Sequence, residues 1–404
     1  MTNQTSQRWT LIAYVVAIAT GIANGLWGTE GLLAIADFTS SIFIRLFKFI
    51  SVPIIAVSII ATLAQVSQSS DSGRIFTRTL FYTIFTTVLA AAVAALLYVL
   101  IAPSNVAVAG EPTVTNATEH SYLHYVESVI PDNFIAPFLS ANVLSVLLVS
   151  AAIGLAIAKL TRGSRHQEVL MAFFGGAQEV LFILVKWLIA VLPVGIFGFI
   201  SELVLEMQAG VEIGGLGAYF ATILSANFVQ MLVVLPLFLL LRGLNPIKVA
   251  RGMFPALMVA FFSKSSAGTL PVTMNCAEQN LNVRPQVSRF VLPMCTTINM
   301  NGCAAFILVT VIYLMQNAGA EITAMTLVTW IGIATVAAIG NAGVPMGCFF
   351  LSASLLASMN VPILLMGVIL PIFAVIDMIE TTLNVWSDSV VAAMVDRDLY
   401  PQKP

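Results

Sequence analysis

Residues 263–271 have the sequence SKSSAGTLP, and they interrupt an apolar segment, 252–281, that has an arginine at each end. Lys and Arg accumulate on the cytoplasmic side of membrane proteins, so Arg251 and Arg284 both favour that side. A segment with both ends on one side must enter the membrane and return. Serine, glycine and proline at its midpoint therefore predict the tip of a re-entrant hairpin, where the backbone is irregular.

The rest of the chain has the composition of a membrane protein. Of its 404 residues, 59% are hydrophobic and 9% are charged, and the mean hydropathy is +0.97. A soluble domain carries about 25% charged residues. We predict an all-α membrane protein with eight transmembrane helices and two re-entrant helical hairpins, because apolar runs of spanning length recur along the chain. The predicted spans are 9–27, 38–65, 77–101, 137–159, 169–200, 216–241, 286–316 and 361–393.

The basic residues also predict an orientation. Loops rich in Lys and Arg alternate with loops that contain none and carry acidic residues instead. The positive-inside rule then places both termini in the cytoplasm. Short loops and the absence of a signal-peptide cleavage site favour the bacterial inner membrane as the location. The loops without Lys or Arg are 28–37, 102–132, 201–215 and 317–323.

A second hairpin follows from the same argument. The segment 324–358 starts from an outside loop and must return to it, and NAGVPMG (341–347) would form its tip. Each hairpin precedes an apolar segment with polar residues at its centre, TTINMNGC (296–303) and IETTLNVWSD (379–388), and we expect a broken helix at both. A hairpin followed by a broken helix, repeated from opposite sides, is typical of inverted-repeat transporters with a midplane binding site.

Polar residues of the last segment share one helical face. At about 100° per residue, three carboxylates fall in one sector with a threonine and an asparagine. Because charge facing lipid is costly, this face must contact a cavity, protein partners or ions. Only one nearby lysine, Lys264, can offset the three charges, which leaves room for cations or a proton. The residues of the face are Asp377, Glu380, Thr381, Asn384 and Asp388.

The sequence offers no other chemistry of comparable strength. We find no nucleotide-binding loop and no catalytic constellation, so we expect neither an enzyme nor a nucleic-acid partner. The spacing of the four cysteines suggests no zinc site and no disulfide framework, so we interpret them as small packing residues. These cysteines are Cys276, Cys295, Cys303 and Cys348.

Four motifs in order along the chain, SKSSAGTLPVTM, TTINMNGC, NAGVP and DMIETTLNVWSD, resemble the dicarboxylate/amino-acid:cation symporter family. That family includes the glutamate and neutral amino-acid transporters, and the last motif is most similar to its sodium/serine-threonine branch. LPVGIFGFI (192–200) also resembles the family's fifth helix. The resemblance implies a homotrimer in the lipid bilayer that works by an elevator mechanism. Its implied parts are scaffold helices in 1–75 and 133–215, transport helix 76–101, outer loop 102–132 and transport core 216–404.

The resemblance also implies binding residues for an amino acid and for Na⁺. Asp377 would bind the α-amino group, Asn384 and Thr381 the α-carboxylate, and Lys264 would form an ion pair with Asp377 or Glu380. The implied substrate residues are Ser265, Ser266, Cys303, Val344, Asp377, Glu380, Thr381 and Asn384. The implied first Na⁺ site is Cys295, Asn299, Asn384 and Asp388, the second is Thr297, Ala338, Ile339 and Asn341, and the third is Thr86, Thr87, Asn299 and Asn301.

Glu380 departs from the family pattern, because acidic-substrate members have an arginine at this position. A carboxylate here repels a second carboxylate, so we expect a small neutral amino acid such as serine, threonine or alanine. Cationic amino acids, cystine and acidic substrates stay open as alternatives. An amino-acid-gated anion channel or a sensor on the same scaffold is a further one.

Asn301 is the second departure, because it replaces an aspartate that binds the third Na⁺ in the family. An amide supplies a dipole but no charge, so we expect a third site that is weakened or absent. Coupling would then use two Na⁺, and a proton remains an alternative through the titratable Glu380.

Overall fold

Helices account for nearly all of the residues that the computed structural model describes, and those residues include no strand. Val344 and most of the predicted outer loop lie outside them. The described residues are 2–66, 73–106, 130–139, 143–161, 163–208, 214–341, 346–359 and 361–400.

The helices alternate with short connections in the order that the apolar runs predict. A π-helical turn, Gln230–Val234, joins α7 to α8 without a break. The helices are α1 (Thr2–Trp27), α2 (Glu30–Val66), α3 (Gly73–Ile101), α4 (Ala136–Leu139), α5 (Val143–Lys159), α6 (Arg165–Gln208), α7 (Gly214–Val229), α8 (Leu235–Leu241), α9 (Pro246–Ser263), α10 (Ser266–Asn280), α11 (Pro285–Ile298), α12 (Asn301–Asn317), α13 (Ala324–Gly340), α14 (Gly347–Ser358) and α15 (Leu364–Leu399).

Several of these helices have the dimensions of membrane spans. Within the described part of the chain, four stretches are long and apolar enough to cross a bilayer, and shorter apolar helices accompany them. Large apolar side chains on the outer helices, such as Phe38 and Trp187, are exposed to the surroundings. The four stretches are Arg74–Ile101, Gly215–Leu241, Pro285–Asn317 and Leu364–Leu399.

Small residues bring α1, α2 and α6 into close contact. A Cβ atom on Gly25 of α1 would lie 2.5 Å from Cβ of Val204, and one on Gly198 of α6 would lie 2.5 Å from Oγ1 of Thr39. Close backbone approach at glycine is how helices associate in membranes, where burial of apolar surface gives little driving force. The helix α5 packs against α2 and completes this group.

The remaining long helices form a second group around α12. The first hairpin consists of α9 and α10, which pack directly against each other. Lys264 ends α9 in the left-handed conformation at φ 54°, and the hydroxyl of Ser265 accepts the backbone N–H of Gly268 at 3.0 Å. The chain therefore turns at the predicted position, between Ser263 and Ser266.

The second pair, α13 and α14, is arranged differently. Among the described residues, each of these two helices contacts α12 more extensively than it contacts the other. Met346 precedes α14 in the left-handed conformation at φ 54°. Asn341 ends α13, and its N–H donates to the carbonyl of Ala338 at 3.1 Å.

Of the two predicted helix breaks, one is present and one is wrong. The helix stops at Ile298 and restarts at Asn301, as TTINMNGC predicts. In contrast, α15 runs without interruption through 379–388. The polar residues there lie on one face and find partners on other helices, so their side chains are accommodated without unwinding the backbone.

Candidate functional site

The break between α11 and α12 creates the centre of the site. Asn299 and Met300 have non-helical backbone angles, with φ near −100° and ψ of 65° and 66°. The N–H of Asn299 still donates to the carbonyl of Cys295 at 2.8 Å, and helical bonding resumes where Ala304 donates to Met300 at 3.0 Å. Backbone groups between these points are free of regular helical bonds, as at any pair of helix ends.

Gly302 lets the start of α12 approach α15 very closely. A Cβ atom at this position would lie 2.8 Å from Cα of Glu380, and that backbone cannot easily move away. The N–H of Gly302 donates to Oδ1 of Asn384 at 2.9 Å. The glycine of the motif is therefore required by packing, and the contact fixes the position of α15 relative to the break.

Asp388 is a fully buried carboxylate at 0% exposure, and only one of its two oxygens is hydrogen-bonded by a described residue. Its Oδ1 accepts Nδ2 of Asn299 at 2.9 Å, whereas Oδ2 has no partner among the described residues. A buried carboxylate in this state needs a cation or a proton. This orphaned oxygen, with the oxygen-rich break beside it, fits a hard monovalent cation such as Na⁺.

A chain of side-chain amides leads to that carboxylate. Gln230 donates to Oδ1 of Asn301 at 2.8 Å, and Nδ2 of Asn301 donates to Oδ1 of Asn299 at 2.9 Å. Asn299 in turn donates to Asp388, and both asparagines also donate to Oγ of Ser387 at 2.9 Å. Every amide in the chain therefore points its N–H₂ group towards the carboxylate side.

Gln230 and Ser387 were not identified from the sequence. Gln230 lies in the π turn, where its Nε2 also donates to the backbone carbonyl of Thr86 at 3.1 Å. The indole of Trp386 donates to the carbonyl of Met231 in the same turn at 3.0 Å. A single amide in an apolar run, and a π turn at a site, are both typical of functional positions.

A second cluster surrounds the other end of the polar face of α15. Glu380 is 1% exposed, and its Oε2 accepts the thiol of Cys348 at 3.1 Å. Its Oε1 has no partner in the part of the chain that is described. Cys303 accepts Nδ2 of Asn341 at 3.0 Å and lies beside the same carboxylate. The sequence predicts Glu380 and Cys303 as part of the site for the substrate's side chain, and the structure adds Cys348 to this cluster.

Residues 9–398 match the sodium:dicarboxylate symporter family. The chain belongs to this family. Neutral amino acid transporter B(0) of Homo sapiens is 28% identical to it over 94% of this chain and 78% of the relative. Excitatory amino acid transporter 3 of Homo sapiens is 28% identical over 96% of this chain and 85% of the relative. Neutral amino acid transporter A of Bos taurus is 27% identical over 89% of this chain and 75% of the relative.

Membership in the family decides the general activity. The chain is a multi-pass membrane symporter and not an enzyme, and Na⁺ is its coupling ion. Na⁺ is thus cargo of the protein, and its binding site must open and close during the cycle. The orphaned Oδ2 of Asp388 is compatible with that requirement.

Lys264, Ser265 and Ser266 form the tip of the first hairpin, and α9 and α10 pack against α15, which carries Asp377 and Thr381. Lys264 and Asp377 attract each other through space, but no ion pair within 4.0 Å joins Lys264 to a described carboxylate. Asp377 is partly exposed, whereas Ser266 and Thr381 are buried. The ion pair of Lys264 stays a prediction.

The structure brings together some, but not all, of the predicted ligands of the second and third Na⁺ sites. For the second site, α11 and α13 contact each other, which brings the helices of Thr297 and Asn341 together. For the third site, Thr86 donates to Oδ1 of Asn299 at 3.1 Å, so these residues and Asn301 meet. The hydroxyl of Thr87 instead donates to the carbonyl of Thr83 in its own helix at 2.8 Å.

Proposed function

We propose that this symporter carries a small neutral amino acid of the serine, threonine or alanine type together with two Na⁺. The observation that carries the substrate class is Glu380, whose Oε1 is buried and has no partner among the described residues. An unpaired buried acceptor is expensive, and a substrate hydroxyl or ammonium group relieves the penalty. A substrate carboxylate would increase it through repulsion.

The family's name includes dicarboxylates, yet the pocket argues against them. Among the described residues, no basic side chain forms an ion pair with Glu380. Lys264 interacts electrostatically with Asp377 instead. Similarity to neutral amino acid transporters B(0) and A supports the same substrate class. A cationic amino acid is the alternative that the unpaired Oε1 also favours.

The amide chain supports the binding of two Na⁺ rather than three. At the third site, Oδ1 of Asn301 accepts a hydrogen bond from Gln230. Its Nδ2 points towards Oδ1 of Asn299, so the amide presents the positive end of its dipole to the site. A cation next to that N–H₂ group is repelled, and Asn301 carries no charge to offset the repulsion as Asp388 does at the first site. Asp388 with Asn299, Asn384 and the Cys295 carbonyl supports the first site, and Thr297 with the end of α13 at Ala338, Ile339 and Asn341 supports the second.

We propose an elevator mechanism from the grouping of the helices, and a homotrimer from the resemblance to the family. The helices α1, α2, α5 and α6 make their most extensive contacts with one another, and α2 and α6 also pack against α14 and α15. The site lies in α3 and in the chain from α7 to α15. We propose that the first group is the static scaffold and the second moves with substrate and ions. We place the protein in the bacterial inner membrane with both termini in the cytoplasm.

Uptake in proteoliposomes with an imposed Na⁺ gradient tests the substrate class. Wild-type protein is expected to accumulate radiolabelled serine, threonine or alanine but not aspartate. Glu380→Arg should lose serine uptake or gain aspartate uptake, and Glu321→Gln, in an exposed connection between α12 and α13, should behave as wild type. Aspartate uptake by the wild type would contradict the proposal, as would a measured ratio of three Na⁺ per substrate.

A further inference from the structure

Three metal-ligating side chains meet in the transport core although they come from three separate helices. Cys303 lies in α12, Cys348 in α14 and Glu380 in α15, and all three are buried. Their sulfur and carboxylate atoms lie within 4.8 Å of one another. We infer that the three residues form a binding site for a thiophilic divalent cation such as Zn²⁺, separate from the Na⁺ sites.

The unpartnered Oε1 of Glu380 is an independent reason for this inference. A buried carboxylate oxygen without a partner is costly, and when no amino acid is bound nothing among the described residues satisfies it. A metal ion would satisfy that oxygen directly. The hydrogen bond from the Cys348 thiol to the other oxygen shows that the sulfur already lies on the carboxylate's side, at 3.1 Å.

The geometry requires only small movements. With Zn–S bonds of about 2.3 Å and tetrahedral angles, two sulfur ligands lie roughly 3.8 Å apart. Atoms that lie within 4.8 Å of one another therefore need side-chain shifts of the order of half an ångström each. Three protein ligands leave the fourth position of a tetrahedral ion open to water or to a polar group of a bound amino acid.

The ligand set also determines which ion binds. Thiolates select soft or borderline ions such as Zn²⁺, Cd²⁺ and Co²⁺, and they exclude Na⁺, Mg²⁺ and Ca²⁺. Binding converts both thiols to thiolates and releases two protons to solvent. The complex then carries one net negative charge, because two thiolates and one carboxylate surround a divalent cation.

Binding of the metal would connect three elements of the transport core. Cys348 follows the tip of the second hairpin directly, so a bound ion would tie that hairpin to α12 and α15. The same ion would fill the pocket for the substrate's side chain. We therefore expect Zn²⁺ to inhibit transport, and this consequence, unlike the site itself, rests on the proposed function.

Titration of purified protein with Co²⁺ tests the site without any transport. Wild type should bind one Co²⁺ per chain and develop thiolate-to-cobalt charge-transfer absorption. Cys348→Ser should weaken binding at least tenfold and reduce that absorption, whereas Cys276→Ser is the matched control because Cys276 is a buried free thiol outside the cluster. Absence of the absorption from wild type, or its equal loss in Cys276→Ser, would overturn the inference.

A measurement on wild type alone covers the case in which Cys348→Ser does not fold. The ¹¹³Cd NMR shift of the Cd²⁺-loaded protein distinguishes two sulfur ligands from none. A resonance typical of two sulfurs supports the site, and a resonance typical of oxygen ligands alone rejects it.

Inhibition is measured as the ratio of serine uptake with and without external Zn²⁺ in each variant. Wild type should show a lowered ratio that chelation restores, and Cys276→Ser should match it. Metal binding without amino-acid uptake would reject the proposed function and keep the site. Uptake with no metal binding would reject the site and keep the function.

Discussion

Replacement of Asn301 by aspartate restores the charge that the family pattern has at the third Na⁺ position. The substitution removes the Nδ2 atom, which donates to Asn299 and to Ser387 at 2.9 Å each. A removed buried hydrogen bond costs about 1–3 kcal/mol, so the two together cost about 2–6 kcal/mol in the absence of Na⁺. The new carboxylate also faces the side-chain oxygen Oδ1 of Asn299, and the two oxygens repel each other.

Sodium should recover the lost stability if the third site is rebuilt. One additional bound ion stabilises the folded state by about 2.7 kcal/mol when Na⁺ is present at a hundredfold excess over its Kd, relative to the protein without Na⁺. We therefore expect Asn301→Asp to be less stable than wild type at low Na⁺ and to have a steeper dependence of stability on log[Na⁺]. The extra slope should approach about 1.4 kcal/mol per tenfold change in Na⁺.

The assay is unfolding of the purified protein in mixed micelles at several Na⁺ concentrations, with choline keeping the ionic strength constant. Asn301→Ala is the control, because it loses the same Nδ2 hydrogen bonds, and also the one accepted from Gln230, without adding charge. It should be destabilised and keep the wild-type slope. An unchanged slope in Asn301→Asp would refute our account of why the third site is weakened.

Three further substitutions test the packing and hydrogen bonds of the site. Gly302→Ala should abolish substrate uptake while the protein remains folded, because its Cβ would lie 2.8 Å from Cα of Glu380. Overpacking of this kind costs about 1–3 kcal/mol. Uptake assays measure the loss of transport, and size-exclusion profiles show whether the protein is folded. Gln230→Leu removes the two hydrogen bonds that Nε2 donates, to Asn301 and to the Thr86 carbonyl, and should lower the free energy of unfolding by about 2–6 kcal/mol in the same micelle assay. Trp386→Phe removes the bond to the Met231 carbonyl and should cost only about 1–3 kcal/mol, with Na⁺ dependence unchanged.

Local breaks in the helices were predictable because their causes are local. Ser263 to Ser266 contain a left-handed residue and a serine cap, and the break at Asn299 follows from asparagine and glycine in an apolar run. The same rule failed at 379–388. There the polar residues are spaced along one face, so their partners on other helices satisfy them and the backbone stays helical.

The contacts between distant segments were not predictable from one sequence. Cys348 gave no indication of its role, because it reaches Cys303 and Glu380 only through the packing of three helices. Gln230 is separated from Thr86 by 144 positions. Residue spacing within a segment shows which side chains share a face, but it does not show which face of another segment they meet.

The π turn at Gln230–Val234 fixes the number of residues that connect α7 to α8. A π turn holds one residue more than the α turn that it replaces, so α7 and α8 are out of phase by about 100°. Deletion of a single residue there would bring the two halves into one continuous register. Leu235 and Leu239 would then rotate out of their buried positions, while Gln230 could keep its own. Insertions and deletions of one residue should therefore be excluded from this turn, even where individual side chains are free to vary.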